Sequence, residues 1–323
     1  MGNESNNQLS EVEWKQLGDL RKTYLAEDFN HKKDYWNSND LLRLYESTFA
    51  QRIGWKWDAI LSEISNKGFF KDKQEYILYD FGCGTGIASR KMCEFFGVNL
   101  ISAVWLWDFS KKAVRFSADK LKSLYPGLII EELNEVKVPG VKWILCVSHL
   151  INELSENEFD RMIKLAEDAD FIIWLEPGTK LHSKRLIEIR ERLVGKMKPL
   201  APCTHSNICG MRSEENISHW CHFFAPVPAT VFQSSFWKKF SEKMKIDLRS
   251  LPISYLVLSK EALVTSHESR GARVIGRPRF SKGQGKFLVC DFEGVTEHRL
   301  LERNEKELFR EFKSTVFSRE IKK

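Results

Sequence analysis

Three cysteines and three histidines crowd one short polar segment of the sequence, "CTHSNICGMRSEENISHWCH". Five residues separate Cys203 from Cys209, and eleven separate Cys209 from Cys221. A fourth cysteine, Cys290, lies 69 positions further along the chain. Four thiolates are enough to hold a structural zinc ion or an iron–sulfur cluster. The segment and Cys290 are therefore a candidate metal site.

The residues alone leave the nature of this site open. Zinc sites usually contain a tight C-x₂₋₄-C pair, which is missing here, although His205 and His222 are possible replacement ligands. The cysteines could also be unconnected reduced thiols. Such thiols are usually buried in the core, however, and a loop rich in Gly, Asn and Ser does not resemble a core segment. Cys83, Cys93 and Cys146 lie in a glycine turn, a helix and an apolar strand, so we interpret these three as packing residues.

A second candidate site is the glycine-rich turn in "YILYDFGCGTGIAS". Gly82, Gly84 and Gly86 follow a predicted strand, where glycines permit a tight turn and close approach of a ligand. An isoleucine breaks the G-x-G-x-x-G spacing of nicotinamide sites, and no G-K-[ST] of a Walker loop follows. The spacing Asp-x-Gly-x-Gly-x-Gly, with Asp80 first, resembles motif I of class I S-adenosylmethionine-dependent methyltransferases. Asp108 ends the next predicted strand, where such enzymes bind the ribose hydroxyls of the cofactor.

A third candidate is the stretch "GARVIGRPRFSKGQGKFLVC" (271–290), which contains basic residues and no acidic one. Such a stretch is suited to the phosphates of RNA, but it would also be normal in a solvated hairpin. The candidate nucleic-acid-binding residues are Arg273, Arg277, Arg279, Lys282 and Lys286.

Composition limits the function classes. The 323-residue chain is 42% hydrophobic and 29% charged, which is ordinary for a globular protein with a sizeable core. Its net charge of +6 permits a nucleic-acid partner without requiring one. The sequence shows no apolar leader, no transit-peptide pattern and no run of about 18 apolar residues. We therefore expect a cytoplasmic monomer without a membrane span, in which cysteines stay reduced.

The elements that must position these residues alternate between strand and helix from residue 76 to 195. Short apolar runs predict strands at 76–81, 100–108, 128–134, 142–150 and 170–178, with helices at 87–96, 110–125, 156–169 and 183–195. This alternation predicts an α/β fold with a parallel, doubly wound, Rossmann-like sheet. We divide the chain into a helical lead-in (1–70), a methyltransferase-like domain (71–198) and a cysteine-bearing β part (199–323).

Taken together, these segments resemble the methyltransferase-like assembly factors of the small ribosomal subunit, a mitochondrial ribosomal protein family with bacterial members. The likeness extends from about residue 38 to 294. The blocks that carry it are "YDFGCGTGIAS", "WLEPGT", "APCTHSNIC", "WCHF", "ISYLVLS" and "ARVIGRPRFSKGQGKFLVCDFEG".

The resemblance implies a [4Fe–4S] cluster rather than zinc, with Cys203, Cys209, Cys221 and Cys290 as ligands. It also implies S-adenosylmethionine as cofactor and the rRNA and proteins of the small subunit as partners. The family usually has proline after the first two cysteines, whereas this chain has Thr204 and Gly210.

The sequence identifies no residue that would catalyse methyl transfer to an acceptor. After the fourth predicted strand, His149, Asn152 and Glu153 do not match the motif of amino-methylating enzymes. Glu176 could face the cofactor or hold a loop. Three hypotheses follow: an assembly or translation factor of the small subunit, an active rRNA methyltransferase, and an iron–sulfur redox sensor that controls RNA binding.

Overall fold

The lead-in is helical, as predicted. The computed structural model describes residues 9–25, 34–36, 38–70, 74–261, 271–314 and 320–321. Its first three helices are α1 (Glu11–Leu25), α2 (Asn39–Glu46) and α3 (Phe49–Asn66). Helix α3 turns Trp57, Ile60 and Leu61 completely inward, and burial of each such side chain is worth about 1.5–3 kcal/mol. Helix α3 is therefore part of the core.

The central sheet has eight strands in the order β3-β2-β1-β4-β5-β8-β6, with β7 paired to β8. Strands β1 to β5 are parallel, and β8 runs antiparallel between β5 and β6. In chain order these strands are β1 (Tyr76–Phe81), β2 (Ile101–Trp107), β3 (Ile129–Glu132), β4 (Trp143–Ser148), β5 (Phe171–Pro177), β6 (Lys198–Ala201), β7 (Phe223–Phe224) and β8 (Pro252–Ser259). This strand order confirms the predicted α/β fold with a Rossmann-like, largely parallel sheet.

Helices connect the parallel strands. They are α4 (Ile87–Phe96), α5 (Lys111–Leu124), α6 (Glu156–Asp168) and α7 (Lys180–Leu193), and α8 (Ser235–Met244) precedes β8. Ser155 and Glu158 form a capping box at the start of α6, which satisfies two main-chain N–H groups there. Within the described residues, no helix is long and apolar enough to cross a membrane.

A second, four-stranded sheet follows in the order β11-β10-β9-β12. Its strands are β9 (Ala272–Ser281), β10 (Gln284–Asp291), β11 (Gly294–Leu301) and β12 (Glu320–Ile321), and α9 (Lys306–Lys313) packs on it. The three-part division of the chain stays a prediction. Strands β6 to β8 cross its second boundary to complete the central sheet.

Candidate cofactor and metal sites

The glycine turn lies between β1 and α4, and two of its glycines are fixed by their surroundings. Gly82 and Gly86 have φ angles of +74° and +73°, a region that side chains disfavour. A Cβ at Gly82 would lie 2.8 Å from Leu150, and one at Gly86 would lie 2.0 Å from the Ser117 hydroxyl. Positions 82 and 86 therefore have no room for a side chain.

The two predicted aspartates have different hydrogen-bond partners. Asp108 accepts hydrogen bonds from the N–H groups of Gly84 and Ser110, both at 2.9 Å. Burial raises the pKa of Asp108 to about 6, although these two bonds act against the rise. Asp80 is fully buried and accepts from the N–H and hydroxyl of Ser89, near the start of α4. Asp108 thus faces the turn, whereas Asp80 anchors the helix behind it.

A cavity of about 480 Å³ opens beside the turn, and both Gly84 and Asp108 line it. The lead-in lines one wall with aromatic rings that pack on one another. The centroids of Tyr24 and Tyr35 are 5.3 Å apart, and those of Trp36 and Tyr45 are 5.0 Å apart. No motif in the sequence indicated that the lead-in would line this cavity.

One side of the cavity is basic. Lys56 of α3 is 8% exposed, and its Nζ lies 3.2 Å from Nε2 of His149. Burial, helped by the charge of Arg52, lowers the pKa of Lys56 to about 7. Burial and Lys56 likewise hold the pKa of His149 well below its ordinary value. His182, at the start of α7, lines the same region and has its pKa lowered to about 4 by burial.

The three polar residues after β4 that match no catalytic motif all line the cavity: His149, Asn152 and Glu153. His149 has a φ of +57°, which residues other than glycine rarely adopt. Residues with such strained backbone angles are found most often at functional sites. The hydroxyl of Tyr35 donates to Glu153 at 3.1 Å. Burial raises the pKa of Glu153 to about 8.

Glu176 at the end of β5 holds a loop. Its Oε1 accepts hydrogen bonds from the N–H groups of Leu150 and Ile151, at 3.0 and 3.1 Å, and from the indole of Trp174 at 2.8 Å. Burial raises its pKa to about 7. The sequence left open whether Glu176 faces the cofactor or holds a loop, and these hydrogen bonds show that it holds the loop after β4.

The cysteines of the candidate metal site come from two segments of the chain. Cys203 follows β6, Cys209 precedes a short 3₁₀ turn, and Cys221 lies two residues before β7. Cys290 lies in β10 of the second sheet. All four are partly buried, whereas the cysteines interpreted as packing residues, Cys83, Cys93 and Cys146, are buried.

Helix α7 holds the cysteine loop. Arg190 is 2% exposed, and its Nε donates to Sγ of Cys203 at 3.3 Å. Its Nη2 donates to the carbonyls of His205 and Asn207, at 2.7 and 2.9 Å. Near the start of the same helix, the hydroxyl of Ser183 accepts from the N–H of Cys221. Both halves of the helix therefore contact the cysteine segment.

The four thiols lie within electrostatic range of one another. Burial raises the pKa of Cys209 to about 11 and that of Cys290 to about 12, and Cys203 adds to both shifts. Burial also raises the pKa of Cys221, with contributions from the other three thiols. In the described residues, no group of three or more His, Cys, Asp or Glu side chains is arranged to hold a metal ion. The donor set, four thiols beside a buried guanidinium, fits a thiolate-ligated centre by its chemistry.

Arg273 requires a correction. The sequence suggested an RNA-facing role, but the side chain is 2% exposed. Its Nη1 and Nη2 donate to the two carboxylate oxygens of Glu63 on α3, at 2.6 and 2.9 Å, and Nη2 also lies 2.7 Å from the hydroxyl of Tyr255. Arg273 is committed to a buried ion pair because β9 packs over the lead-in at this point.

The rest of the basic stretch lies nearer the surface. Arg277, Arg279 and Lys282 are exposed, and Lys286 is half-buried. The guanidinium of Arg277 lies 3.8 Å from the ring centre of Phe224, and Arg279 and Lys286 share Glu297 as ionic partner. Their binding to nucleic acid stays a prediction.

Several solved methyltransferases match the chain at low identity. Magnesium protoporphyrin IX methyltransferase from Synechocystis is 12% identical, over 80% of this chain and 100% of that chain, with a TM-score of 0.41. A SAM-dependent methyltransferase from Leishmania major is 10% identical, over 73% and 83%, with a TM-score of 0.41. Another from Aquifex aeolicus is 13% identical, over 52% and 93%, with a TM-score of 0.38. Similarity at this level carries no argument about activity.

Sequence comparison is more specific. No curated protein matches the chain. The family described as mitochondrial small ribosomal subunit Rsm22 matches residues 70–318, which is well over half of the chain. This match includes the glycine turn, all four cysteines and the basic stretch. The chain belongs to the mitochondrial small ribosomal subunit Rsm22 family.

Proposed function

We propose that the protein is an assembly or translation factor of the small ribosomal subunit that binds S-adenosylmethionine or its product, holds a [4Fe–4S] cluster and contacts rRNA. The family supports the ribosomal part of this proposal. The glycine turn and Asp108, which line one cavity, support the cofactor. A cytoplasmic location stays a prediction.

The observation that supports the proposal most is that four thiols from two distant segments lie within electrostatic range of one another. Cys203, Cys209 and Cys221 belong to a polar loop, and Cys290 belongs to the second sheet. The loop is rich in polar residues, and its thiols are only partly buried. As ligands they would join the loop to β10, and the free energy of binding would stabilise both. Arg190, which donates to Cys203, would offset part of the negative charge.

The hairpin formed by β9 and β10 supports the proposed rRNA contact. Cys290 lies in the hairpin of β9 and β10, and the tip of that hairpin carries exposed Arg279 and Lys282. A centre that orders β10 would also fix this basic tip for contact with phosphates.

The test is an anaerobic purification with iron and sulfide assays. We expect about four irons per chain and broad absorbance near roughly 400 nm. Cys221→Ser should lower iron content several-fold, whereas Cys146→Ser, a buried cysteine outside the site, should retain it. One zinc per chain would refute the cluster but keep the ligands, and absence of both metals would refute the ligand set.

Methyl transfer needs its own test. Incorporation of labelled methyl groups into assembling small subunits would identify an active rRNA methyltransferase. Cofactor binding without incorporation would identify a factor that uses the cofactor for its fold or its regulation.

A further inference from the structure

The cavity beside the glycine turn is electrically asymmetric. Its acidic groups are Asp108 and Glu153, whose charges act on each other. Its basic groups lie on α3, after β4 and at the start of α7, as Arg52, Lys56, His149 and His182. A ligand that fits such a cavity carries hydrogen-bond donors at one end and an anionic group at the other.

Arg52 and Lys56 are the permanent or readily protonated cations of the basic region. They are four residues apart on α3 and therefore share one face of the helix. Nη1 of Arg52 is buried and has no hydrogen-bond partner among the described residues. Lys56 contacts His149, itself a base, and feels the charge of the deeper Glu176 only at longer range. Within the described part of the chain, neither cation has an ion-pair partner.

The start of α4 lies in the same cavity. Ile87 and Ala88, its first two residues, both line the space, and the residue before them, Gly86, provides no side-chain cap. The first N–H groups of a helix favour an anion, and two nearby cations strengthen that preference.

We propose that Arg52 and Lys56 form an anion subsite that binds the carboxylate at the amino-acid end of the cofactor. This inference rests on the proposed function and names the residues that orient the cofactor. With the ribose at Asp108 and the carboxylate at α3, the ligand spans the cavity in one direction only. The lead-in is thereby part of the binding site.

The subsite predicts that ligand binding is coupled to protonation of Lys56. Burial and the charge of Arg52 lower the pKa of Lys56, and Glu176 partly opposes them. The other groups around Lys56, His149 and His182, have lowered pKa values as well. A bound carboxylate would favour the protonated amine, so binding should take up a proton near pH 7.5. Affinity for a carboxylate-bearing ligand should fall as the pH rises above about 7.

The experiment is calorimetry on the full chain with two nucleosides. S-adenosylhomocysteine carries the amino-acid end, and 5′-methylthioadenosine lacks it. We expect the wild type to bind the first at least about tenfold more tightly than the second. Lys56→Met and Arg52→Met should each weaken S-adenosylhomocysteine about tenfold and leave 5′-methylthioadenosine unchanged. Lys184→Met, which removes an exposed charge from α7, is the matched control and should change neither.

Titrations in two buffers of different ionisation enthalpy give an independent readout. Proton uptake should accompany S-adenosylhomocysteine in the wild type and disappear in Lys56→Met. Equal affinity of the wild type for both nucleosides would overturn the subsite but keep the cofactor site. Equal weakening of both nucleosides by the variants would also overturn it, because the lysine and arginine would then only shape the cavity. Failure of the wild type to bind either nucleoside would overturn the proposed cofactor and the subsite with it.

Discussion

The cofactor cavity and the four-cysteine site are assembled in different ways. In the cavity, the glycine turn and Asp108 follow β1 and β2, two adjacent parallel strands, so the sheet itself brings them together. The four cysteines come from a loop and from a second sheet, and side chains unite them. Arg190 holds the loop to α7, and Asn216 donates from the loop to the carbonyl of Val295 in β11.

This difference predicts different sensitivities. Main-chain geometry fixes the glycine turn, so its form should survive most side-chain changes nearby. The cysteine site depends on side-chain contacts between segments that are distant in sequence, so loss of one contact should loosen it. The Glu63–Arg273 ion pair is the test case, because it ties α3, a wall of the cavity, to β9, next to the cysteine-bearing strand.

The largest expected effect is that of Glu63→Gln. It would leave the buried guanidinium of Arg273 without its counter-charge, and breaking such a pair costs about 3–5 kcal/mol. The free energy of unfolding, measured by chemical denaturation, should fall by that amount. Glu297→Gln breaks an ion pair with the more exposed Arg279 and should cost less than about 1 kcal/mol. Similar losses in both variants would contradict the structural role of Arg273.

The same pair predicts a pH dependence. Burial would raise the pKa of Glu63, but the charge and hydrogen bonds of Arg273 outweigh it and lower the pKa to about 2. The folded protein therefore binds a proton at Glu63 less readily than the unfolded chain. The stability this gives is complete above about pH 4.5 and is lost as the pH falls towards 2. In Glu63→Gln, the free energy of unfolding should depend less on pH between about 4.5 and 2 than in the wild type. An unchanged dependence on pH would assign the acid sensitivity to other groups.

A smaller effect is expected for Asp108→Ala on cofactor binding. The change removes an acceptor for the ribose hydroxyls and for the N–H of Gly84. Loss of charge-assisted hydrogen bonds should weaken S-adenosylhomocysteine by about 1–3 kcal/mol, measured by calorimetry. Asp160→Ala on the exposed face of α6 is the control and should bind as the wild type does. Full affinity in Asp108→Ala would exclude it from the ribose site.

The smallest effect concerns RNA. Neutralising Arg277, Arg279 and Lys282 together should weaken binding to small-subunit RNA at every sequence tested. The slope of log affinity against log salt should decrease by about 2, because three phosphate contacts would no longer release counterions. Neutralising three basic residues of α5, Arg115, Lys120 and Lys122, is the control for net charge. Equal effects from both sets would mean that the hairpin is not a specific RNA surface.

Much of the fold could be predicted because local patterns determine it. The strand at 76–81 and the helix at 87–96 match the structure to the residue, since an apolar run and glycines mark their limits. The basic region of the cavity could not be predicted, because it depends on how α3 packs against β4. One signal was available: Lys56 interrupts the apolar face of α3 between Ile53 and Trp57. The burial of Arg273 had no signal, since its partner is 210 positions away.

Strand β8 has a consequence for dissection of the chain. It pairs with β5 along seven residues on one side and with β6 on the other, although it is encoded after the cysteine segment. A fragment that stops at residue 198 would therefore leave the edge of β5 unpaired. Open strand edges are templates for aggregation. A shortened chain should precipitate rather than behave as a free methyltransferase-like domain, and a soluble fragment would need to keep residues 252–259.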